Sequence, residues 1–140
     1  MAGGKLILVV DTNVLLVSIS DRSAFHWLYR GIIDGQFDIA VTTDILDEYA
    51  EIIGQKWHPD VADDVCRTLL ELPNVLQIEP AFRMNLIPDD PDDNKFADCA
   101  FATNAHYLIS NDRHYSALKT RDFPRIEVLT IQQFSDLIAI

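Results

Sequence analysis

Basic side chains are scarce in this sequence. Eleven lysines and arginines stand against twenty-two aspartates and glutamates, a formal net charge of −11 over 140 residues, and the pI is near 4.5. That balance is the wrong sign for holding nucleic acid through surface electrostatics alone, which argues against a passive nucleic-acid clamp. An acidic chain can still act on nucleic acid where a bound metal inverts the local potential or a basic partner covers it. Cysteine is nearly absent. Cys66 and Cys99 lie far apart on helical patterns with no Cys-x-x-Cys spacing, so they read as small buried hydrophobes rather than ligands or nucleophiles. Membrane-length apolar runs are missing as well: the opening run Leu6 to Val10 is too short for a span or a signal sequence, and no small-residue cleavage site follows it. A cytoplasmic location without membrane contact is expected. The four histidines show no ligand spacing, and surface or satisfied roles are expected of them.

What is present is a chain of ordinary domain size, 49% hydrophobic, for which a single domain over residues 1–140 with one core is the default. Lys5 to Val10 reads as a central parallel strand that ends abruptly at Asp11-Thr12-Asn13. A second apolar patch covers Val14 to Val17. Ser20 or Asp21 then offers a cap for a helix with apolar positions Ala24, Phe25, Leu28, Ile32 and Ile33. Gly35 breaks it, and Phe37 to Val41 is the second strand. Thr42 to Gln55 is helical, and at about 100° per residue Asp44, Asp47 and Glu51 project outward while Glu48 lies on the flank of the apolar face. Asp60 can cap a further helix through Val61, Val65, Leu69 and Leu70, and Asn74 to Ile78 is the third strand. A helix from about Asp92 to Asn104 leads to a fourth strand, His106 to Ser110, with a short helix near His114 to Leu118 after it. The fifth strand is Ile126 to Leu129, and Thr130 with Gln133 forms a capping box for the last helix. Strands alternate with helices throughout, so the class is α/β with a mostly parallel sheet.

The chemistry concentrates between Asp89 and Asp112, where four aspartates surround Pro91, a helix of small and apolar residues follows, and a short strand delivers Asp112. Asp11 likewise ends the first strand. In open parallel sheets ligands bind outside the carboxyl ends of the strands, where strand order reverses. If strands one and four are neighbours across that reversal, Asp11 and Asp112 face each other, and Glu48 and Asp93 reach the same mouth. Two carboxylates about 4 Å apart repel by roughly 4 kcal/mol at an effective dielectric near 20, so converging acids call for a cation. Oxygen-only ligands suit Mg²⁺ or Mn²⁺, and such an ion fits hydrolysis of a phosphodiester. Each acid has a plainer role open to it: Asp11 capping a turn, Glu48 pairing with a base, Asp93 or Asp92 as a helix N-cap, Asp112 as a turn residue. Asp98 lies about 140° around the helix from Asp93 and reads as a supporting or core-bonded acid. Trp27 and Trp57 are candidates for core or dimer surface.

Asp11-Thr12-Asn13, the Glu48 helix, Asp-Pro-Asp-Asp-Asn-Lys-Phe-Ala-Asp over residues 90–98 and Ser110-Asn111-Asp112, taken in order, resemble the PIN-domain ribonucleases, and within them the toxin components of bacterial toxin–antitoxin pairs. The resemblance covers nearly the whole chain. It implies a three-layer α/β/α sandwich with sheet order 3-2-1-4-5. It matches Asp11, Glu48, Asp93 and Asp112 to catalytic, metal-binding acids, and Asn13 and Ser110 to polar residues that orient the site. It also implies single-stranded RNA as substrate, homodimers, and an antitoxin whose tail blocks the site. The sequence departs from the family pattern at His106, where an acid is common, and at Asn111, where glycine is common. Lys95 and Arg113, each beside a proposed ligand, are assigned to the RNA backbone, with ordinary ion pairing as the plainer role.

Three other functions compete. A haloacid-dehalogenase-like phosphatase needs a second aspartate where Asn13 stands, and an amide cannot transfer the proton. A receiver domain needs an aspartate after strand three and a lysine after strand five, where Glu79 and Thr130 stand. A catalytically silent PIN-like RNA-binding or assembly module is the alternative that keeps the fold, and the acidic net charge weighs against it.

Overall fold

The computed structural model describes residues 5–81, 94–115, 118 and 125–138. Strands β1 (Ile7–Val10), β2 (Asp38–Val41), β3 (Val75–Gln77), β4 (Tyr107–Ile109) and β5 (Val128–Leu129) form a sheet of order β3-β2-β1-β4-β5. All its pairings are parallel. The order reverses at the β1/β4 seam, as the resemblance implies. Helices α1 (Thr12–Ile19), α2 (His26–Ile33), α3 (Thr43–Lys56), α4 (Pro59–Glu71), α5 (Asn94–Thr103) and α6 (Ile131–Ile138) flank the sheet. The fold is the expected α/β sandwich.

Register explains where the core sits. Leu8 pairs with both Ile39 and Tyr107, so these side chains leave one face of the sheet together. On that side Phe134 of α6 meets Tyr107 at 6.0 Å, Phe37 at 5.4 Å and Trp27 at 6.0 Å between ring centroids. Trp27 is therefore a packing residue, whereas Trp57 remains half exposed. Helix α5 lies against β1, β2 and β4, and its small buried residues Ala97, Cys99 and Ala100 permit that close approach. Beside it, α3 buries Ile45, Tyr49 and Ile53.

Helix ends follow local hydrogen bonding, in places differently from the sequence reading. The apolar patch after Asp11 is helix α1, which starts directly off the end of β1. Neither Ser20 nor Asp21 caps α2: the Ser20 and Ser23 hydroxyls accept from the Arg22 and Phe25 amides and hold a turn, so the helix starts at His26. Serine offers the backbone this alternative to a helical turn. His58, rather than Asp60, caps α4, its Nδ1 accepting from the Asp60 amide at 3.0 Å with Pro59 in the first turn. After Asp112 comes a 3₁₀ turn, Arg113–Tyr115, and of the rest of the expected short helix near His114 to Leu118 only Leu118, which is helical, is among the described residues. Other expectations hold. Gly35, at φ 78°, ends α2 in the left-handed region. Thr42 caps α3 through the Ile45 amide at 3.2 Å. Thr130 and Gln133 form the reciprocal capping box, with bonds of 2.9 and 3.0 Å. Among the described residues no helix is long and apolar enough to cross a membrane.

Candidate active site at the carboxyl ends of β1 and β4

Asp11 continues β1, its amide donating to the Ile109 carbonyl of β4 at 3.0 Å. It occupies the N-cap position of α1 yet makes no capping bond there. Its carboxylate instead accepts the Ser110 hydroxyl at 2.7 Å, and both residues are buried, Asp11 to 6% exposure and Ser110 to 2%. Burial pushes the Asp11 carboxyl above its ordinary value; the Ser110 hydroxyl and the Thr12 amide pull it back, and the charges of Glu48 and Asp112 add to the rise. Glu48 and Asp112 thus each lie within electrostatic reach of Asp11 at the reversal of strand order.

Glu48 is brought there by α3. Its neighbour Tyr49 is fully buried and donates its hydroxyl to the Val10 carbonyl, fastening α3 to the last residue of β1. Burial holds the Tyr49 phenol well above its usual range, so it stays a donor. Asp44, Asp47 and Glu51 are exposed, while Glu48 turns inward. Its Oε2 accepts the Thr12 hydroxyl, and its Oε1 receives the Lys95 ammonium at 2.6 Å. Sequence reasoning passed over Thr12 in favour of Asn13. The signal was its place one residue beyond a strand-ending aspartate, where a buried hydroxyl meets the next acid.

Asp112 follows Ser110, and its amide donates to the Ser110 hydroxyl at 3.0 Å. Its Oδ1 accepts the His114 amide at 2.8 Å and lies 3.2 Å from His114 Nδ1. Ser110 is therefore a junction, donating to one acid and accepting from the backbone of another. Asn13 and Arg113 are exposed. Lys95, assigned from the sequence to RNA, is held on Glu48. Asp98 is buried, in keeping with a supporting role. Asp93 lies outside the described residues, as do Asp89, Asp90 and Asp92. The two departures from the family pattern are structural: His106 Nδ1 accepts the Ile7 amide at 2.9 Å, as an acid could, and Asn111 Oδ1 accepts from Ile131 at the start of α6 at 3.2 Å.

Among the described residues no three His, Cys, Asp or Glu side chains lie close enough to hold one ion. The donor chemistry is nevertheless that of a hard cation: carboxylate and hydroxyl oxygens from Asp11, Glu48, Asp112 and Ser110, in a surrounding that disfavours negative charge on Asp11. Glu48 already receives a cationic group in Lys95.

Residues 7–114 match the PIN domain family. The chain belongs to that family. Several solved structures share its fold. One is the crystal structure of VapBC2 from Rickettsia felis bound to a DNA fragment from their promoter, with a TM-score of 0.61 at 14% identity over 89% of this chain and 98% of that one. Another is the structure of the T. brucei RRP44 PIN domain, with a TM-score of 0.54 at 10% identity over 98% of this chain and 83% of that one. No curated protein matches the sequence. The matched region spans the positions of Asp11, Glu48, Asp93 and Asp112.

Proposed function

We propose that this PIN-domain protein is a Mg²⁺- or Mn²⁺-dependent endoribonuclease that hydrolyses phosphodiester bonds of single-stranded RNA, and that it is the toxin of a toxin–antitoxin pair. The observation that carries the hydrolytic reading is the buried Asp11 carboxylate, fixed by Ser110 and electrostatically coupled to Glu48 and Asp112. A buried acid whose charge is opposed by two more acids is costly in a structural role alone. Asp11, Glu48, Asp112 and, by the family pattern, Asp93 would hold the ion. When bound, it supplies Lewis-acid stabilisation of the phosphodiester and a more acidic attacking water.

The chain's own part is positioning. Ser110 holds one oxygen of Asp11 and the backbone of Asp112. Thr12 and Tyr49 set Glu48 and its helix against the end of β1. The net charge of −11 repels RNA, so local positive charge at the mouth has to overcome that field. With Lys95 engaged by Glu48, the exposed Arg113 is the nearer candidate for the RNA backbone. A basic antitoxin tail entering the same acidic mouth, a homodimer and a cytoplasmic location belong to this reading.

The test is cleavage of a mixed-sequence single-stranded RNA in Mg²⁺, in Mn²⁺ and in EDTA. Cleavage should require the divalent ion and be lost in Glu48→Gln and Asp112→Asn. RNA binding with no cleavage in any ion would replace this reading by the silent PIN-like module. Growth arrest on expression, relieved by the same substitutions, tests the toxin role separately.

A further inference from the structure

The Lys95–Glu48 pair differs from the other ion pairs described. Those formed by Arg30, Arg67 and Arg125 are largely exposed, and exposed pairs contribute little. Lys95 and Glu48 are 19% and 24% exposed and 2.6 Å apart. The ammonium also lies 5.8 Å from the centroid of the Phe96 ring, a favourable placement for a cation. The other oxygen of Glu48 takes the Thr12 hydroxyl. Lys95 is thus held on a carboxylate whose charge bears on buried Asp11.

We propose that Lys95 is the internal counter-ion of the acid cluster and that a divalent cation binds in competition with it, so that Lys95 sets the metal concentration at which the site loads. The inference rests on the metal-dependent reading above. An ammonium offsets the charge of Glu48 and lets the acids sit together. Beside a divalent ion on the same carboxylate it becomes a like charge, and in a partly buried setting that repulsion is weakly screened. Lys95 therefore stabilises the fold without metal and weakens metal binding. A residue that only shaped Glu48 would move both properties in the same direction.

The experiment pairs calorimetric Mn²⁺ titration with thermal unfolding in EDTA, on the wild type, Lys95→Met, Lys95→Arg and Lys95→Met combined with Glu48→Gln. Methionine keeps the stem over Phe96 and removes the charge. Lys95→Met is expected to unfold about 3–6 °C lower in EDTA and to bind Mn²⁺ about tenfold more tightly. Lys95→Arg should stay near the wild type in both. On the Glu48→Gln background, removing Lys95 should no longer lower the midpoint. Unchanged or weaker Mn²⁺ binding by Lys95→Met, with wild-type binding intact, overturns the counter-ion proposal and leaves the nuclease reading standing. A wild type that binds no Mn²⁺ overturns the nuclease reading and the competition with it.

Discussion

Ser110→Ala removes one hydroxyl and should make stability depend on pH in a defined direction. Ser110 is 2% exposed; it donates to Asp11 Oδ2 at 2.7 Å and accepts from the Asp112 amide at 3.0 Å. A hydrogen bond to a charged group contributes about 1.5–3 kcal/mol and one to a neutral amide about 1, so the loss near neutral pH is about 2–4 kcal/mol. For a chain of this length that lowers the unfolding midpoint by about 6–12 °C. The folded Asp11 carboxyl is already raised above 3.8 by burial, so the stability linked to it is fully present below that value and declines as pH rises through the folded value. Ser110 opposes the rise; without it the folded value climbs further and more stability is lost at high pH. The deficit of Ser110→Ala should therefore be smaller near about pH 4, as Asp11 takes up its proton, than near about pH 7.5, the bond from the Asp112 amide being lost at both. Thermal unfolding in EDTA at both conditions measures it. A deficit that is equal at the two pH values would refute the reasoning, because the hydroxyl would then not be supporting a charged Asp11.

Three further outcomes follow from packing and burial. A Cβ on Gly31 would stand 2.4 Å from the Phe37 ring, which is itself wedged against Phe134, so Gly31→Ala should cost about 1–3 kcal/mol in urea unfolding; a cost below about 0.5 would mean the ring moves freely. Asn74 is buried and its amide donates to the Ile32 and Phe37 carbonyls at 2.9 and 2.7 Å, tying α2 to β2. Asn74→Ala should cost about 2–4 kcal/mol, measured in the same way. Burial pushes the Cys99 thiol up to about 12, so at about pH 8 its reactive thiolate is on the order of one part in ten thousand. Iodoacetamide should label Cys99 in urea and leave it untouched in the folded protein by mass spectrometry.

Much of this architecture is legible in the sequence because local and global signals agree. The run Ile7 to Val10 is apolar on both faces, as a central parallel strand must be, and Asp11 marks its end. Thr130 and Gln133 announce α6 by a bond pattern that needs only those residues. Helix α1 was illegible as a helix because Val14 to Val17 is a run of apolar residues without helical periodicity, in a segment lacking acids and a capping bond. The α2 boundary differs because Ser20 has the chemistry of a cap, but its hydroxyl, like that of Ser23, bonds within its own turn. At the site, the flank position of Glu48 could be read from a helical wheel. Its partners could not: Thr12 lies 36 residues away and Lys95 lies 47 away, and only the sheet order brings them together. The same holds for Lys95, which by neighbourhood in sequence belongs with the proposed ligand Asp93 and in space belongs to Glu48.

The central claim is that these acids form a metal-dependent hydrolytic centre, and one paired measurement tests it. Mn²⁺ is titrated calorimetrically into the wild type and into Asp11→Asn, and cleavage of a mixed single-stranded RNA is followed in the same samples. The account predicts divalent binding and RNA cleavage in the wild type, with both lost in a variant whose fold persists, because asparagine keeps the shape of Asp11 and removes its charge. A wild type that binds no divalent ion at millimolar concentration, or cleavage that survives Asp11→Asn, would contradict it.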